Sequence, residues 1–167
     1  ITREEAAVHL RGRWMIFAAL LVQTGDVDGI VAGVSGRFNR FLSVVEKMIP
    51  RKKGVENLYA VNAVMQKDRV YFMGDTHVTK NPTAEQLAEM TLLAAAEMKH
   101  FGLTPRVAMV SHSNFGSSYS ESAQKMAKAR RLVMAKAPKL EVEGEMQADA
   151  ALDMEIMQRV FPETGLS

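Results

Sequence analysis

Apolar residues recur along the chain with helical spacing in some segments and in short continuous runs in others. Helical spacing predicts helices over residues 3–23, 39–48, 121–135 and 146–160, and a further helix between Thr83 and Gly102. Short apolar runs predict strands over residues 28–33, 57–66, 69–73, 106–110 and 140–142. The resulting order, α-β-α-β-β-α-β-α-β-α, is typical of an α/β fold with a mostly parallel sheet flanked by helices.

Local signals mark several element boundaries. Thr83 and Gln86 form a Thr-x-x-Gln capping box after Pro82, which predicts a helix start. Residues 57–66 carry apolar side chains on both faces, which predicts a strand in the centre of the sheet. Gly144 predicts a break between the last strand and the last helix.

Composition narrows the class of protein. The 167 residues include no cysteine, which excludes disulfides, cysteine zinc sites and thiol catalysis. With 47% hydrophobic and 24% charged residues, the sequence indicates a globular domain. We expect no membrane span and no signal peptide. A net charge of +2 gives no reason to expect a nucleic-acid partner.

The strongest candidate site is the segment 111–118, here called the serine loop, which lies between a buried strand and a helix. Ligands of α/β sheets bind beyond the carboxyl ends of the strands. The four serines, with Asn114 and Gly116, offer hydroxyls and backbone N–H groups near a helix N-terminus, which favours phosphate or carboxylate. An ordinary loop whose serine caps the next helix explains the same residues equally well. His112 is a weak acid–base candidate because no carboxylate stands at a fixed offset from it.

Two other loops carry acidic residues. Asp75 and His77 follow a strand and could hold a metal or polarise a substrate, although an ordinary turn is the simpler interpretation. Glu143, Glu145 and Asp149 suggest metal or acid–base chemistry. Acids at a helix N-terminus that balance the macrodipole are the alternative, and this alternative accounts for Glu145. The glycines of residues 25–36 match no nucleotide-binding fingerprint, and tight packing explains them better.

A basic helix face follows the serine loop. Lys125, Lys128 and Arg131 share roughly one side of the helix over residues 121–135. Such a face is usually only solvated. Beside a candidate phosphate loop, it could also hold a polyphosphate arm.

Five segments together resemble the phosphate acetyl/butyryltransferase family, in the right order and nearly from end to end. They are Gly-Asp-Val-Asp-Gly at 25–29, Gly-Asp-Thr-His-Val at 74–78, Asn-Pro-Thr-Ala-Glu-Gln-Leu-Ala-Glu at 81–89, Ser-His-Ser-Asn-Phe-Gly-Ser at 111–117 and Glu-Gly-Glu-Met-Gln-Ala-Asp-Ala-Ala-Leu at 143–152. The serine loop departs from the usual Ser-x-Ser-Thr-x-Gly-Ser form of the acyltransferases at Asn114 and Phe115. In this feature it is similar to the phosphotransacetylase-like domain at the C-terminus of bacterial NADP-dependent malic enzymes.

The resemblance implies a fold like that of isocitrate and isopropylmalate dehydrogenases, a homo-oligomer (a dimer or a higher oligomer), a cytoplasmic location, and acetyl-CoA or CoA as the ligand. NADP and a divalent metal would belong only to the parent enzyme, whose upstream catalytic domains would be partners of this one. The implied ligand-binding residues are Ser111, Ser113, Asn114, Gly116, Ser117, Lys125, Lys128, Arg131, Asp75 and Asp149.

One family stretch is missing from the sequence. The active acyltransferases carry a late Asn-Asp-Leu-Ser-Arg-Gly segment, and no such run occurs in residues 1–167. The resemblance therefore predicts a partial phosphotransacetylase-like domain of a two-subdomain unit, with its C-terminal part absent and with neither catalytic nor metal-ligating residues of its own. Its expected role is regulation of malate oxidative decarboxylation. An active phosphate acetyltransferase and a purely structural dimerisation module are the alternatives.

Overall fold

A computed structural model describes residues 2–11, 13–33, 35–74 and 77–163. The chain divides into two compact units, Ile1–Leu58 and Tyr59–Ser167, which are considered separately. The first unit contains the helices α1 (Arg3–Leu10), α2 (Trp14–Thr24) and α3 (Phe38–Met48).

The first unit departs from the sequence predictions in two places. The helix predicted over residues 3–23 is two helices, and Gly12, which weakens a helix interior, lies between them in the sequence. The strand predicted over residues 28–33 is wrong: these residues form no strand, and Val31 is fully exposed. A strand needs a hydrogen-bonding neighbour. The described part of this unit contains no strand that could serve.

The second unit contains every strand of the described chain. Its elements are β1 (Val61–Gln66), β2 (Arg69–Gly74), α4 (Ala84–His100), β3 (Arg106–Val110), α5 (Glu121–Lys136), β4 (Glu141–Met146), α6 (Ala148–Leu152) and α7 (Met154–Val160). The capping box predicted for α4 is present, with Thr83 Oγ1 accepting from Gln86 N and Gln86 Oε1 accepting from Thr83 N.

The strands form two separate sheets rather than the one mostly parallel sheet predicted. β1 and β2 form an antiparallel hairpin, and β3 and β4 form a parallel pair joined through α5. The sequence predicts β1 in the centre of a sheet, yet among the described strands it pairs with β2 alone, and it is exposed along its length. Apolar residues on both faces of a strand thus did not indicate its position, because that position depends on which other strands are present.

The end of the second unit also differs from prediction. β4 continues through Gly144 to Met146 instead of ending at Val142, and the predicted last helix is two short helices. Asp153 separates them and caps α7 by accepting from Glu155 N at 2.9 Å. Met146 and Met157 are fully buried in one apolar cluster. A second cluster lies between α4, α5 and the β3–β4 pair.

Candidate functional site

The serine loop starts at the edge of the parallel sheet where both strands end. β3 ends at Val110 and β4 ends at Met146, and Ser111 N donates to Met146 O at 2.8 Å. The loop then leads to Ser120, whose side chain accepts from Ala123 N and caps α5. The loop therefore lies where α/β sheets usually bind ligands, as the sequence predicted.

A buried carboxylate holds this loop from beneath. Glu145 is 3% exposed and lies in β4. Its Oε1 accepts from Ser113 Oγ at 2.9 Å and from Gly116 N at 2.7 Å, while its backbone oxygen accepts from Phe115 N at 2.8 Å. Hydrogen bonds to an ionised acceptor are stronger than neutral ones. Glu145 thus fixes the inner side of the loop.

Other hydrogen bonds join residues of the loop to one another. Ser113 Oγ accepts from Ser118 N at 3.1 Å and lies 3.2 Å from Ser117 Oγ. Ser117 Oγ accepts from Asn114 N at 2.9 Å. The amides of residues 114–118 therefore donate within the loop or to Glu145. The sequence predicts that these amides face a bound anion, but only Gly116 N donates to one, and that anion is the Glu145 carboxylate of the protein itself.

Gln147, the residue after β4, binds the loop through three hydrogen bonds. Its backbone N donates to Asn114 Oδ1 at 2.8 Å, and its Oε1 accepts from Asn114 Nδ2 at 3.2 Å. Its Nε2 also donates to His112 O at 3.0 Å. The side-chain amide of Asn114 thus both donates to and accepts from Gln147. The outer rim of the loop is left to His112, Gly116 and Ser117, which are all exposed.

His112 stands among hydroxyl groups on that rim. Its Nε2 lies 3.1 Å from Ser120 Oγ and 3.4 Å from Ser118 Oγ. Ser111 differs from the other serines, because its Oγ is buried and has no hydrogen-bond partner among the residues that the structure describes. The predicted loop residues are thus together, but Ser111 and Ser113 lie inside the loop rather than on its surface.

The predicted basic face borders an open depression between the start of α4 and the side of α5, about 490 Å³ in volume. Lys125, Lys128 and Arg131 all line it, so the three cations do share one face. Lys125 Nζ donates to Asn81 Oδ1 and Lys128 Nζ to Glu85 Oε1, both at 2.6 Å. An anion that enters the depression must therefore compete with Glu85 for Lys128.

The Lys128–Glu85 pair yields a prediction about pH. The hydrogen bond from Lys128 holds the pKa of the exposed Glu85 below its usual value. Because this pKa is depressed on folding, the pair supports the fold at neutral pH and its contribution is lost as the pH falls through the folded-state pKa. We expect Lys128→Ala to raise the pKa of Glu85, measured by carboxyl-carbon NMR titration. Lys136→Ala, at the C-terminal end of α5, is the control, and an unchanged pKa in Lys128→Ala would contradict the contact.

The acidic residues do not form one site. Glu143 pairs with Arg130, Glu145 holds the serine loop, and Asp149 Oδ1 accepts from Ala150 N at 2.8 Å in the first turn of α6. Asp75 lies outside the described residues. Among the residues described, no group of three or more histidine, aspartate and glutamate side chains could hold a metal ion.

Glu145 is a residue whose contacts differ from the sequence prediction. Its charge was assigned to the N-terminus of a helix, but Glu145 lies inside β4 and its partners are more than 28 residues earlier in the sequence. The available signal was the alternation Glu143-Gly144-Glu145 directly after a buried strand residue, Val142. Two acids of a buried strand need partners, and the serine loop and Arg130 supply them.

The comparisons with known proteins agree with this fold. The family description "Phosphate acetyl/butaryl transferase" matches residues 1–167. Two solved phosphotransacetylases superpose on 99% of the chain while the chain covers 51% of each. The EutD phosphotransacetylase of Staphylococcus aureus has a TM-score of 0.83 at 29% identity, and the Streptococcus pyogenes phosphotransacetylase has a TM-score of 0.85 at 28% identity. An α/β domain with this loop at its strand ends is thus a phosphotransacetylase fold, and the chain belongs to the phosphate acetyl/butaryl transferase family.

Curated relatives include two kinds of enzyme. The chain is 42% identical over 164 residues to the NAD-dependent malic enzyme of Rhizobium meliloti, and the matched segment covers 98% of this chain and 21% of that protein. It is 40% identical over 166 residues to the NADP-dependent malic enzyme of Escherichia coli, and the matched segment covers 99% of this chain and 22% of that protein. It is 38% identical over 146 residues to the phosphate acetyltransferase of Nitratidesulfovibrio vulgaris, 87% of this chain and 21% of that protein. The chain thus spans about a fifth of these relatives. No helix among the described residues has the length and apolar character to cross a membrane.

Proposed function

We propose that the chain is a regulatory acetyl-CoA-binding domain that acts on the catalytic domains of a malic enzyme. The observation that carries this proposal is the match of nearly the whole chain to one segment of the malic enzymes. In this proposal the 167 residues are part of a longer polypeptide with a two-subdomain arrangement like that of isocitrate dehydrogenase. To test whether the chain is part of a longer polypeptide, the mass of the natural protein can be measured in a cell extract, and we expect it to exceed that of the 167 residues.

The ligand has two chemically different ends, and the chain offers a surface for each. CoA carries phosphates, which require cations, and Lys125, Lys128 and Arg131 provide them around one depression. The thioester end needs neutral hydrogen-bonding partners, which the serine loop provides. Because α5 begins directly after this loop, both surfaces belong to one continuous stretch of the second unit.

The individual loop residues take different parts in this proposal. Ser117 and Gly116 lie on the exposed rim and contact the acyl end. Ser111, Ser113 and Asn114 support them from inside the loop, because their groups are buried or already paired. Asp149, which is exposed at the start of α6, lines the surrounding cleft in this proposal. We also assign Asp75 to the ligand-binding residues.

Regulation requires two states of the enzyme with different affinities for acetyl-CoA. NADP and the divalent metal of malate oxidation belong to the catalytic domains in this scheme. The domain then acts through an oligomer in the cytoplasm, as the malic enzyme resemblance implies. The first requirement of the scheme is therefore that acetyl-CoA binds here at all.

Isothermal titration with acetyl-CoA tests that requirement. We expect saturable binding at or below millimolar ligand, and weaker binding at higher salt because the phosphates meet exposed cations. Lys128→Ala combined with Arg131→Ala should weaken binding, whereas Lys136→Ala should not. Absence of saturable heat at millimolar acetyl-CoA would contradict the proposal.

A second candidate function is phosphate acetyl transfer, which is favoured by the high structural similarity to two phosphotransacetylases. That reaction needs a cation clamp for phosphate and a base for the CoA thiol. An assay that follows thioester formation from acetyl phosphate and CoA separates the two functions. Turnover above the uncatalysed rate would establish the transferase, while binding without turnover supports the regulatory domain.

A further inference from the structure

We propose that Glu145 is the positioning residue of the serine loop, and that it directs a neutral acyl group, rather than a phosphate, to the rim of that loop. The proposal rests on the function proposed above and specifies which part of the ligand meets which surface. It is derived from the hydrogen bonds around one buried carboxylate.

Two donors of the loop already bind an anion that belongs to the protein. Ser113 Oγ and Gly116 N both donate to the same oxygen, Glu145 Oε1, at 2.9 and 2.7 Å. Ser113 is 1% exposed and Glu145 is 3% exposed, so water screens this interaction little. Glu145 therefore fills the anion-binding position that the sequence of the loop suggests.

The hydroxyl protons of Ser113 and Ser117 have different partners. A serine hydroxyl has one proton, and Ser113 gives its proton to Glu145. In the 3.2 Å contact between Ser113 and Ser117, the proton must therefore come from Ser117. Ser117 is exposed and can turn this proton toward a ligand, while Ser113 keeps its bonds to Glu145 and to Ser118 N. Ser117 is thus the hydroxyl that can exchange its partner at small cost.

The charge of Glu145 favours a neutral ligand group at the loop. A phosphate bound directly against Ser113 and Gly116 would stand beside the buried carboxylate of Glu145, and two like charges repel strongly away from water. A thioester carbonyl carries no net charge and can accept the Ser117 proton without that repulsion. The phosphates of CoA then bind the three cations of α5, which lie on a separate surface.

Matched variants of two buried acids of β4 test the positioning role. Glu145→Ala removes the acceptor of the loop, Glu145→Gln keeps an acceptor oxygen of the same shape, and Glu143→Ala removes an acid that pairs with Arg130 instead. We expect Glu145→Ala to weaken acetyl-CoA binding about tenfold, which corresponds to the loss of a hydrogen bond to a charged group. Glu145→Gln should bind within about threefold of the parent protein. Glu143→Ala should lower thermal stability and leave affinity unchanged.

Amide hydrogen exchange provides a measurement that needs no ligand. In Glu145→Ala we expect faster exchange at Gly116 and Ser118, whose amides depend on Glu145 directly or through Ser113. Glu143→Ala should leave these amides protected. Equal effects of both alanine variants on affinity and on exchange would overturn the positioning role and leave only a general structural one.

The two proposals can fail separately. If the unmodified protein does not bind acetyl-CoA, the proposed function fails, while the exchange data still decide whether Glu145 positions the loop. If acetyl-CoA binds but Ser117→Ala has no effect and Ser113→Ala with an intact fold abolishes binding, the proton assignment is wrong. Binding of inorganic phosphate to the loop, detected by its shifts of the Ser117 and Gly116 amide signals, would overturn the charge argument.

Discussion

Replacing Gly144 by alanine is expected to lower the free energy of unfolding by about 3 kcal/mol or more, because overpacking and backbone strain act together. Gly144 has a φ of +123°, which L-residues rarely adopt. A Cβ at this position would lie 2.7 Å from Met109 O and 3.1 Å from Met109 Cβ, in the neighbouring strand β3. Backbone atoms of a paired strand cannot move aside easily, so the substitution should strain the β3–β4 pair directly beneath the serine loop.

Gly102→Ala is the matched control for this prediction. Gly102 also has a positive φ, +73°, but nothing lies within 4 Å of a Cβ built there. Its replacement should cost only the conformational strain, about 1–2 kcal/mol. Urea denaturation of both variants provides the comparison. Equal losses would show that packing against Met109 does not explain the glycine.

Arg130→Met is expected to lower the free energy of unfolding by about 2–4 kcal/mol, because it leaves the carboxylate of Glu143 without its cation. Arg130 Nη2 lies 2.6 Å from Glu143 Oε1, and the two side chains are only 27% and 11% exposed. Arg130 Nε also donates to Val142 O at 3.3 Å, which joins α5 to β4. Replacing both partners, as Arg130→Met with Glu143→Leu, should recover much of the loss, since no unpaired charge then remains.

The control for Arg130 is Arg106→Met. Arg106 Nε lies 3.5 Å from Glu141 Oε2 at the start of β3 and β4, with side chains 58% and 32% exposed. Exposed ion pairs contribute about 0–1 kcal/mol, so this variant should remain close to the parent protein in thermal denaturation. A loss as large as that of Arg130→Met would show that burial does not distinguish the two pairs.

Elements that depend on local signals could be predicted from the sequence. α4 begins at the capping box of Thr83 and Gln86, and α5 begins within a residue of the prediction. β3 has the predicted bounds, and the position of the serine loop followed from them. These features depend on a few neighbouring residues, and such residues can be identified in a sequence without knowledge of the rest of the fold.

Features that depend on distant partners could not be predicted. The strand predicted over residues 28–33 and the central place of β1 both required neighbouring strands, and the residues that the structure describes form none at either place. β4 was predicted too short because Gly144 was interpreted as a break, whereas its missing side chain allows the close approach of Met109. The role of Glu145 depends on Ser113 and Gly116, and no spacing rule connects residues so far apart.

The most direct test of acetyl-CoA binding at the serine loop and α5 is to compare amide hydrogen exchange in the protein with and without saturating acetyl-CoA. We expect bound acetyl-CoA to slow exchange at Ser117 and its neighbours on the rim, and at the first turns of α5, which carry Lys125 and Lys128. Bound acetyl-CoA that leaves residues 111–131 unchanged and protects another part of the chain would contradict this expectation.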